Sequence, residues 1–297
     1  MEAIKRILLT SPDKKTALEQ AIFNASSMQA ELTCLSLVSK EPDVSATQAL
    51  IAQMQQSVQK ACNEQAIDIG TLTVHYAVIP SKHIANEIIH QVLRHDFQLV
   101  IKAVEQTDST GFHSTDMQLL RKCPCPLWLS REQKNSQPGR IAVAIDPQYD
   151  EPCGQTLSLD LLQLTALLAI YYQRKPWVFS CWYSDIEGSL GNPFLQLDEA
   201  EAREEMEQDR QAHLKALQAL IQQSGINADV AHEKGQARKL IPQMVKEQQI
   251  DLLIMGTVAR TGIPGFIIGN TAESILSRLE CSVLAIKPEG FVSPVRL

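Results

Sequence analysis

Gly256-Thr-Val-Ala259, nine further residues, and then Gly269-Asn270-Thr271 put glycines on both sides of a loop between an apolar run and a helical pattern. The run ahead of them, Asp251-Leu-Leu-Ile-Met255, has the composition of a strand buried on both faces of a parallel sheet. Asn270 with Glu273 three residues later, before Ile275, Leu276 and Leu279, is a capping-box pattern, which sets the helix start at Asn270 or Thr271. A helix start offers unpaired N–H donors and about half a positive charge, which suits a phosphate. Glycine lets the backbone approach such a group closely, and Arg260 can add charge. The same strand, glycine and helix also make α/β turns that bind nothing, and spacing alone leaves both readings open.

Other chemistry has little purchase. The chain holds no G-x-x-x-x-G-K-[ST], no G-x-G-x-x-G and no H-E-x-x-H. Cys123-Pro-Cys125 has one intervening residue and no second cysteine pair, and it opens a strand, so it reads as structural. The seven histidines share no ligand spacing, and no metal is expected. No residue is placed by motif to activate water or carry a covalent intermediate, so the expectation is binding with weak ATP hydrolysis at most.

The elements that must position these residues alternate. Strands at Ile7–Thr10, Leu32–Val38, Leu72–Val78, Leu99–Ile101 and Cys125–Leu129 are separated by helical patterns, including one over 45–66. Residues 131–139, Arg-Glu-Gln-Lys-Asn-Ser-Gln-Pro-Gly, contain no apolar side chain and read as a linker. The order then repeats with strands at Ile141–Ile145, Trp177–Trp182, Ala228–Ala231, the run before Gly256, and Ser282–Ile286. Leu99-Val-Ile-Lys-Ala103 lies over Leu252-Leu-Ile-Met-Gly256, and Cys125-Pro-Leu-Trp-Leu129 over Cys281-Ser-Val-Leu-Ala285, so the halves are read as a duplication. Alternating strands and helices mean parallel pairing with right-handed crossovers.

Length allows two domains of ordinary size, divided here as 1–134 and 135–297. A net charge of −7 without a Lys or Arg run argues against nucleic acid and anionic membrane as partners. Thr156–Tyr172 is leucine-rich but interrupted by Asp160, Gln163 and Thr165, and it falls short of the roughly 20 apolar residues a span needs. It reads as a core helix. An odd count of seven scattered cysteines fits free thiols in a reducing compartment, and the start of the chain lacks a signal-peptide core, so a cytoplasmic location is expected.

Gly256-Thr-Val-Ala259 with nine residues to Gly269-Asn270 resembles the G-x-x-G, nine residues, G-[ST/N] motif of the universal stress protein family. Ile141-Ala-Val-Ala-Ile-Asp146-Pro147 resembles that family's first strand with its terminal Asp, and the stretch from Thr271 to Ile286 its closing helix and strand. The likeness spans nearly the whole chain and is to the tandem-domain members. It implies an α/β fold of two tandem Rossmann-like domains of the adenine nucleotide alpha hydrolase type. Each would be a five-stranded parallel sheet of order 3-2-1-4-5 with helices on both faces, holding ATP or AMP at the strands' carboxyl ends. Carried over, Asp146 would meet the adenosine, and Gly256, Val258, Ala259, Gly269, Asn270 and Thr271 would surround the phosphates, with Arg260 beside them.

Ala259 departs from the pattern, standing where the motif has its second glycine and adding a methyl at the closest approach. The alternative is an apolar or amphiphilic ligand, for which Ile263, Phe266, Ile267, Ile268, Trp177, Trp182 and Phe194 are the candidate lining, or a ligand-free interaction scaffold. In the first half Ala103 replaces the first glycine, and Pro12 falls near the place of the Asp. That half is expected to be degenerate, completing an intramolecular pseudo-dimer that can also assemble further with itself.

Overall fold

The computed structural model describes residues 3–105, 111–112, 114–147, 152–184, 199–257 and 268–297. Its first half runs β1 (Arg6–Leu9), α1 (Lys15–Met28), β2 (Glu31–Val38), α2 (Val44–Glu64), β3 (Val74–Pro80), α3 (Ile84–His95), β4 (Leu99–Ala103), α4 (Ser114–Lys122) and β5 (Leu127–Ser130). The second half runs β6 (Ile141–Ala144), α5 (Pro152–Tyr172), β7 (Trp177–Trp182), α6 (Glu199–Ser224), β8 (Asp229–Lys234), α7 (Ala237–Glu247), β9 (Leu252–Gly256), α8 (Asn270–Leu276) and β10 (Ser282–Ile286). Boundaries differ from the sequence reading by one or two residues at β3 and β5 and by up to three at β8, because period-2 patterns at strand ends merge into turn residues.

Both halves have the order 3-2-1-4-5, and they join into one ten-stranded sheet ordered β3-β2-β1-β4-β5-β10-β9-β6-β7-β8. The runs Leu99-Val-Ile and Leu252-Leu-Ile-Met are buried throughout, as strands covered by helices on both faces require. Edge strands β3 and β8 carry polar side chains and, in β3, a terminal Pro80, which discourage pairing with another sheet.

All pairings are parallel except β5 with β10, where Leu129 faces Val283, Trp128 faces Leu284 and Leu127 faces Ala285. In the repeat Trp128 is equivalent to Leu284, so this register maps onto itself and a pseudo-two-fold axis passes through that pair. One hydrophobic core lies on the face of α1, α2, α5 and α6, and the other on the face of α3, α4, α7 and α8; each takes side chains from both halves. Across the axis Phe23 of α1 stacks on Tyr172 of α5 with centroids 4.7 Å apart, and the Asn24 amide donates to the Tyr172 hydroxyl at 2.9 Å.

On the opposite face the Arg121 guanidinium of α4 donates to the Glu273 carboxylate of α8 at 2.5 Å. Two cations reach across the axis reciprocally. Arg131, just past β5, donates to the Leu279 carbonyl beyond α8 at 3.1 Å, and its equivalent Lys287, just past β10, donates to the Leu120 carbonyl in the last turn of α4 at 3.0 Å. Each cation satisfies an acceptor at the negative end of the other half's helix.

The linker is strapped down. The Asp251 carboxylate accepts from the backbone N–H groups of Gly139 and Arg140 at 2.8 and 2.9 Å, and the Gln20 amide donates to the Ser136 carbonyl at 2.8 Å. Of α5, Leu157, Leu161, Leu162, Leu164 and Leu168 are buried, and only Leu167 and Ile170 stand out as large exposed apolar side chains. Among the described residues no helix is long and apolar enough to cross a membrane.

Candidate functional site

β6 and β9 are adjacent parallel strands whose connections leave in opposite directions: β6 leads through α5 to β7, and β9 through α8 to β10. Such a reversal opens a crevice at the strands' carboxyl ends, the usual ligand position in open α/β sheets. Asp146 lies two residues past β6 and is exposed. The chain there is held by the Ser158 hydroxyl donating to the Asp146 carbonyl at 3.3 Å and the Ser180 hydroxyl donating to the Ile145 carbonyl at 3.0 Å.

Across the crevice β9 ends at Gly256. Thr257 continues the ladder by donating its N–H to the Ile286 carbonyl at 3.2 Å, and its own carbonyl accepts from the Gly269 N–H at 3.0 Å. That last bond brings the two glycine-bearing ends of the loop together. Among the described residues the buried Thr257 hydroxyl has no hydrogen-bond partner, a feature that the spacing of the glycines did not single out. Val258, Ala259 and Arg260 lie outside the described residues, as do Ile263, Phe266, Ile267 and Phe194.

The helix begins at Asn270, as the pattern predicts, but its cap differs. Gly269 is the N-cap, with φ −63° and ψ 141° and no side-chain cap bond. Glu273 is drawn away to Arg121 of α4, so the reciprocal capping box does not form. A guanidinium across the pseudo-two-fold outcompetes a backbone N–H for the carboxylate because the pair is charge-assisted. Asn270 and Thr271 are left exposed at the crevice.

Gly256 has a reason besides ligand approach. A Cβ there would stand 2.9 Å from Leu157 Cδ2, so any side chain at this position obliges the tip of Leu157 of α5 to shift. Ile268 and Trp182 are buried, at 2% and 7% exposure, and belong to the packed interior rather than to an open apolar lining.

The structure adds a cluster that spacing did not find. His213 of α6 and His232 of β8 share a ring-nitrogen hydrogen bond of 2.9 Å, and His232 stacks on Trp182 with centroids 6.1 Å apart. Burial holds both imidazoles below the usual histidine range. For His213 the His232 ring acts in the same direction, while the Asp146 carboxylate pulls the other way. For His232 the Arg210 guanidinium adds to burial, and Glu233 opposes it. Asp146 therefore sits within electrostatic reach of this cluster. The two histidines come from different elements, and neither lies in a motif.

The corresponding place in the first half is filled from within. Lys102, equivalent to Met255, donates to the Asp116 carboxylate of α4 at 2.8 Å, and the other carboxylate oxygen accepts from the Glu105 N–H at 3.1 Å. Ala103 stands at the position of Gly256, and Pro12 is buried in the turn after β1. Among the described residues no group of three or more His, Cys, Asp or Glu side chains is arranged to hold a metal.

Comparison with known proteins agrees with the doubled architecture. The universal stress protein family matches residues 4–131 and again 139–287. Universal stress protein E of Escherichia coli K12 is 34% identical over 216 residues, covering 71% of this chain and 67% of that protein. The chain belongs to the universal stress protein family. The universal stress protein E homolog of Haemophilus influenzae is 30% identical over 256 residues, covering 85% of this chain and 81% of that protein. A crystal structure of a candidate universal stress protein from Pseudomonas aeruginosa UCBPP-PA14 superposes with a TM-score of 0.72 at 26% identity, covering 97% of this chain and 94% of that one. A universal stress protein from Archaeoglobus fulgidus shares the fold over 97% of this chain at a TM-score of 0.60 and 16% identity. The tandem arrangement is thus a property of this universal stress protein as a whole.

Proposed function

We propose that this chain is a cytoplasmic stress-response binding protein that holds one adenine nucleotide, ATP or AMP, in its second half and turns it over slowly or not at all. Residues 135–297 form the nucleotide-binding domain in this reading, and residues 1–134 form its degenerate partner. The observation that carries it is the crevice between β6 and β9, with Asp146 on one wall and the Gly256–Thr257 and Gly269–Thr271 ends of the glycine loop on the other. Asp146 would accept from the ribose hydroxyls. Asn270 and Thr271, with the α8 backbone N–H groups, would donate to phosphate oxygens, with Val258, Ala259 and Arg260 supplying the rest of the loop.

The asymmetry between halves supports a single site, because Asp116 already places a carboxylate beside Lys102 where a phosphate would otherwise bring negative charge. Titration calorimetry of the full chain with ATP and with AMP tests this reading. One site per chain is expected, and Asp146→Ala should weaken it by about 1–3 kcal/mol. Two equal sites, or no heat at millimolar nucleotide, would overturn it.

A further inference from the structure

A cleft of about 650 Å³ opens between the linker, the first turns of α1, the end of α2 and Arg174 just past α5. The linker leaves β5 at its carboxyl end and enters β6 at its amino end, because the two halves meet antiparallel. The cleft therefore lies at the opposite end of the strands from the β6–β9 crevice, and it takes residues from both halves. On the α1–α2 side it is short of donors. The Glu19 side chain is 8% exposed, and its cation, Lys15, is 3.5 Å away. That same ammonium stands closer to Glu64, at 3.0 Å, and Glu64 also has Lys60 at 3.8 Å, so Glu19 is the carboxylate left under-paired. Gln65 and Gln133 line the cleft and donate their amide groups to the Glu19 and Asp251 carbonyls at 3.2 and 2.9 Å. Gln20, 1% exposed, donates to the Ser136 carbonyl on the linker wall at 2.8 Å. Among the described residues the carboxamide oxygens of all three are withdrawn from water and receive no hydrogen bond, which is unfavourable.

The linker and α5 supply the opposite charge. Lys134 and Arg174 line the cleft, and among the described residues neither pairs with a carboxylate; Arg174 reaches the Gln173 carbonyl at 3.5 Å. With Glu132 the lining holds three acids and three bases. A net anion or a net cation gains little from such a field, whereas a molecule carrying one charge of each sign gains from both. We propose that this cleft binds a small zwitterion of the amino-acid class. Its ammonium donates to the Glu19 carboxylate, and its carboxylate accepts from Arg174 and Lys134. The ammonium's remaining N–H groups are the donors that the Gln65 and Gln133 oxygens lack. The volume admits a long polar side chain, and the site forms only where the two halves and their linker come together.

The competing account is a solvated cleft whose charges hold only water. Charge-blocked ligands separate the two. The full chain, free of nucleotide, is titrated with L-glutamine by calorimetry and by ¹H–¹⁵N spectra that follow the Ser136 and Gly139 amides of the linker. L-glutamine should bind at one site per chain and move those amides. L-glutaminamide, which lacks the carboxylate, and N-acetyl-L-glutamine, which lacks the ammonium, should each bind at least about tenfold more weakly. Glu19→Gln should weaken L-glutamine by about tenfold and leave N-acetyl-L-glutamine unchanged, and Arg174→Met should weaken L-glutamine and leave L-glutaminamide unchanged. No movement of the linker amides at millimolar L-glutamine, blocked forms that bind as well as the zwitterion, or an Arg174→Met chain that binds like wild type would each overturn the proposal. Sorbitol binding as tightly as L-glutamine would make the cleft a polyol site and overturn it too. If Glu19→Gln does not fold, the blocked ligands and Arg174→Met decide. No nucleotide enters these titrations, so their failure is distinct from failure of the nucleotide reading.

Discussion

The Lys102 ammonium and the Asp116 carboxylate meet at 2.8 Å in the first half, at the level where the second half has Met255 and the start of α8. Lys102 is 6% exposed and Asp116 fully buried, so neither charge is satisfied by water. Asp116→Ala should destabilise the chain by about 3–5 kcal/mol, because it leaves the ammonium without its partner. The double variant Lys102→Met, Asp116→Leu should recover most of that loss. Urea denaturation followed by far-ultraviolet circular dichroism measures both, and an Asp116→Ala loss under about 1 kcal/mol would mean that the pair is solvated.

Gly256 offers a test that separates packing from ligand approach. Gly256→Ala should destabilise the nucleotide-free chain by about 1 kcal/mol through its contact with the tip of Leu157, and Leu157→Ala in the same chain should relieve the overlap, so the two changes should not add. Additive losses would show that Leu157 is not what constrains this position.

Ala259→Gly addresses the loop alone. Restoring glycine where the family motif has its second one should tighten ATP binding by about 1 kcal/mol with little change in thermal midpoint. Calorimetric titration of the variant against wild type reads this directly, and unchanged affinity would place the limit on binding elsewhere in the crevice.

The His213–His232 pair predicts a pH dependence with a definite sign. Both groups have folded values below the ordinary 6.5, so the unfolded chain takes up protons first on acidification. Their contribution to stability is complete above 6.5 and is lost as pH falls through their folded values. The thermal midpoint should therefore drop between about pH 7.5 and pH 5.5, and His232→Gln should flatten the drop. A wild-type profile already flat over that window would exclude the pair as a source of acid sensitivity.

Local pattern carried much of the architecture. Apolar runs such as Leu99-Val-Ile and Leu252-Leu-Ile-Met declare buried parallel strands, and their repetition with a polar stretch between declares a duplication. The helix start at Asn270 was legible for the same reason: it depends on residues three or four apart. What was not legible depends on partners far along the chain. Glu273 abandons the cap for Arg121, 152 residues away, and His213 finds its partner on a separate strand. Gly256 also lies against Leu157 of α5, a neighbour 99 residues away that its own stretch of sequence does not show.

The seam between β5 and β10 has a consequence for how such a chain can change. In a homodimer built from one repeated domain, a residue on the symmetry axis must face its own copy, so any substitution there is made twice and must fit itself. Covalent fusion removes that restriction. Here the axial position pairs an indole with an isobutyl group, Trp128 against Leu284, with the indole edge toward Tyr172 at 6.4 Å. A symmetric ancestor would have had to accommodate two indoles or two leucines at that point. Fusion also keeps the partners together at any dilution, since the second copy is supplied by the same chain. One copy is then free to lose its ligand chemistry while the other keeps it.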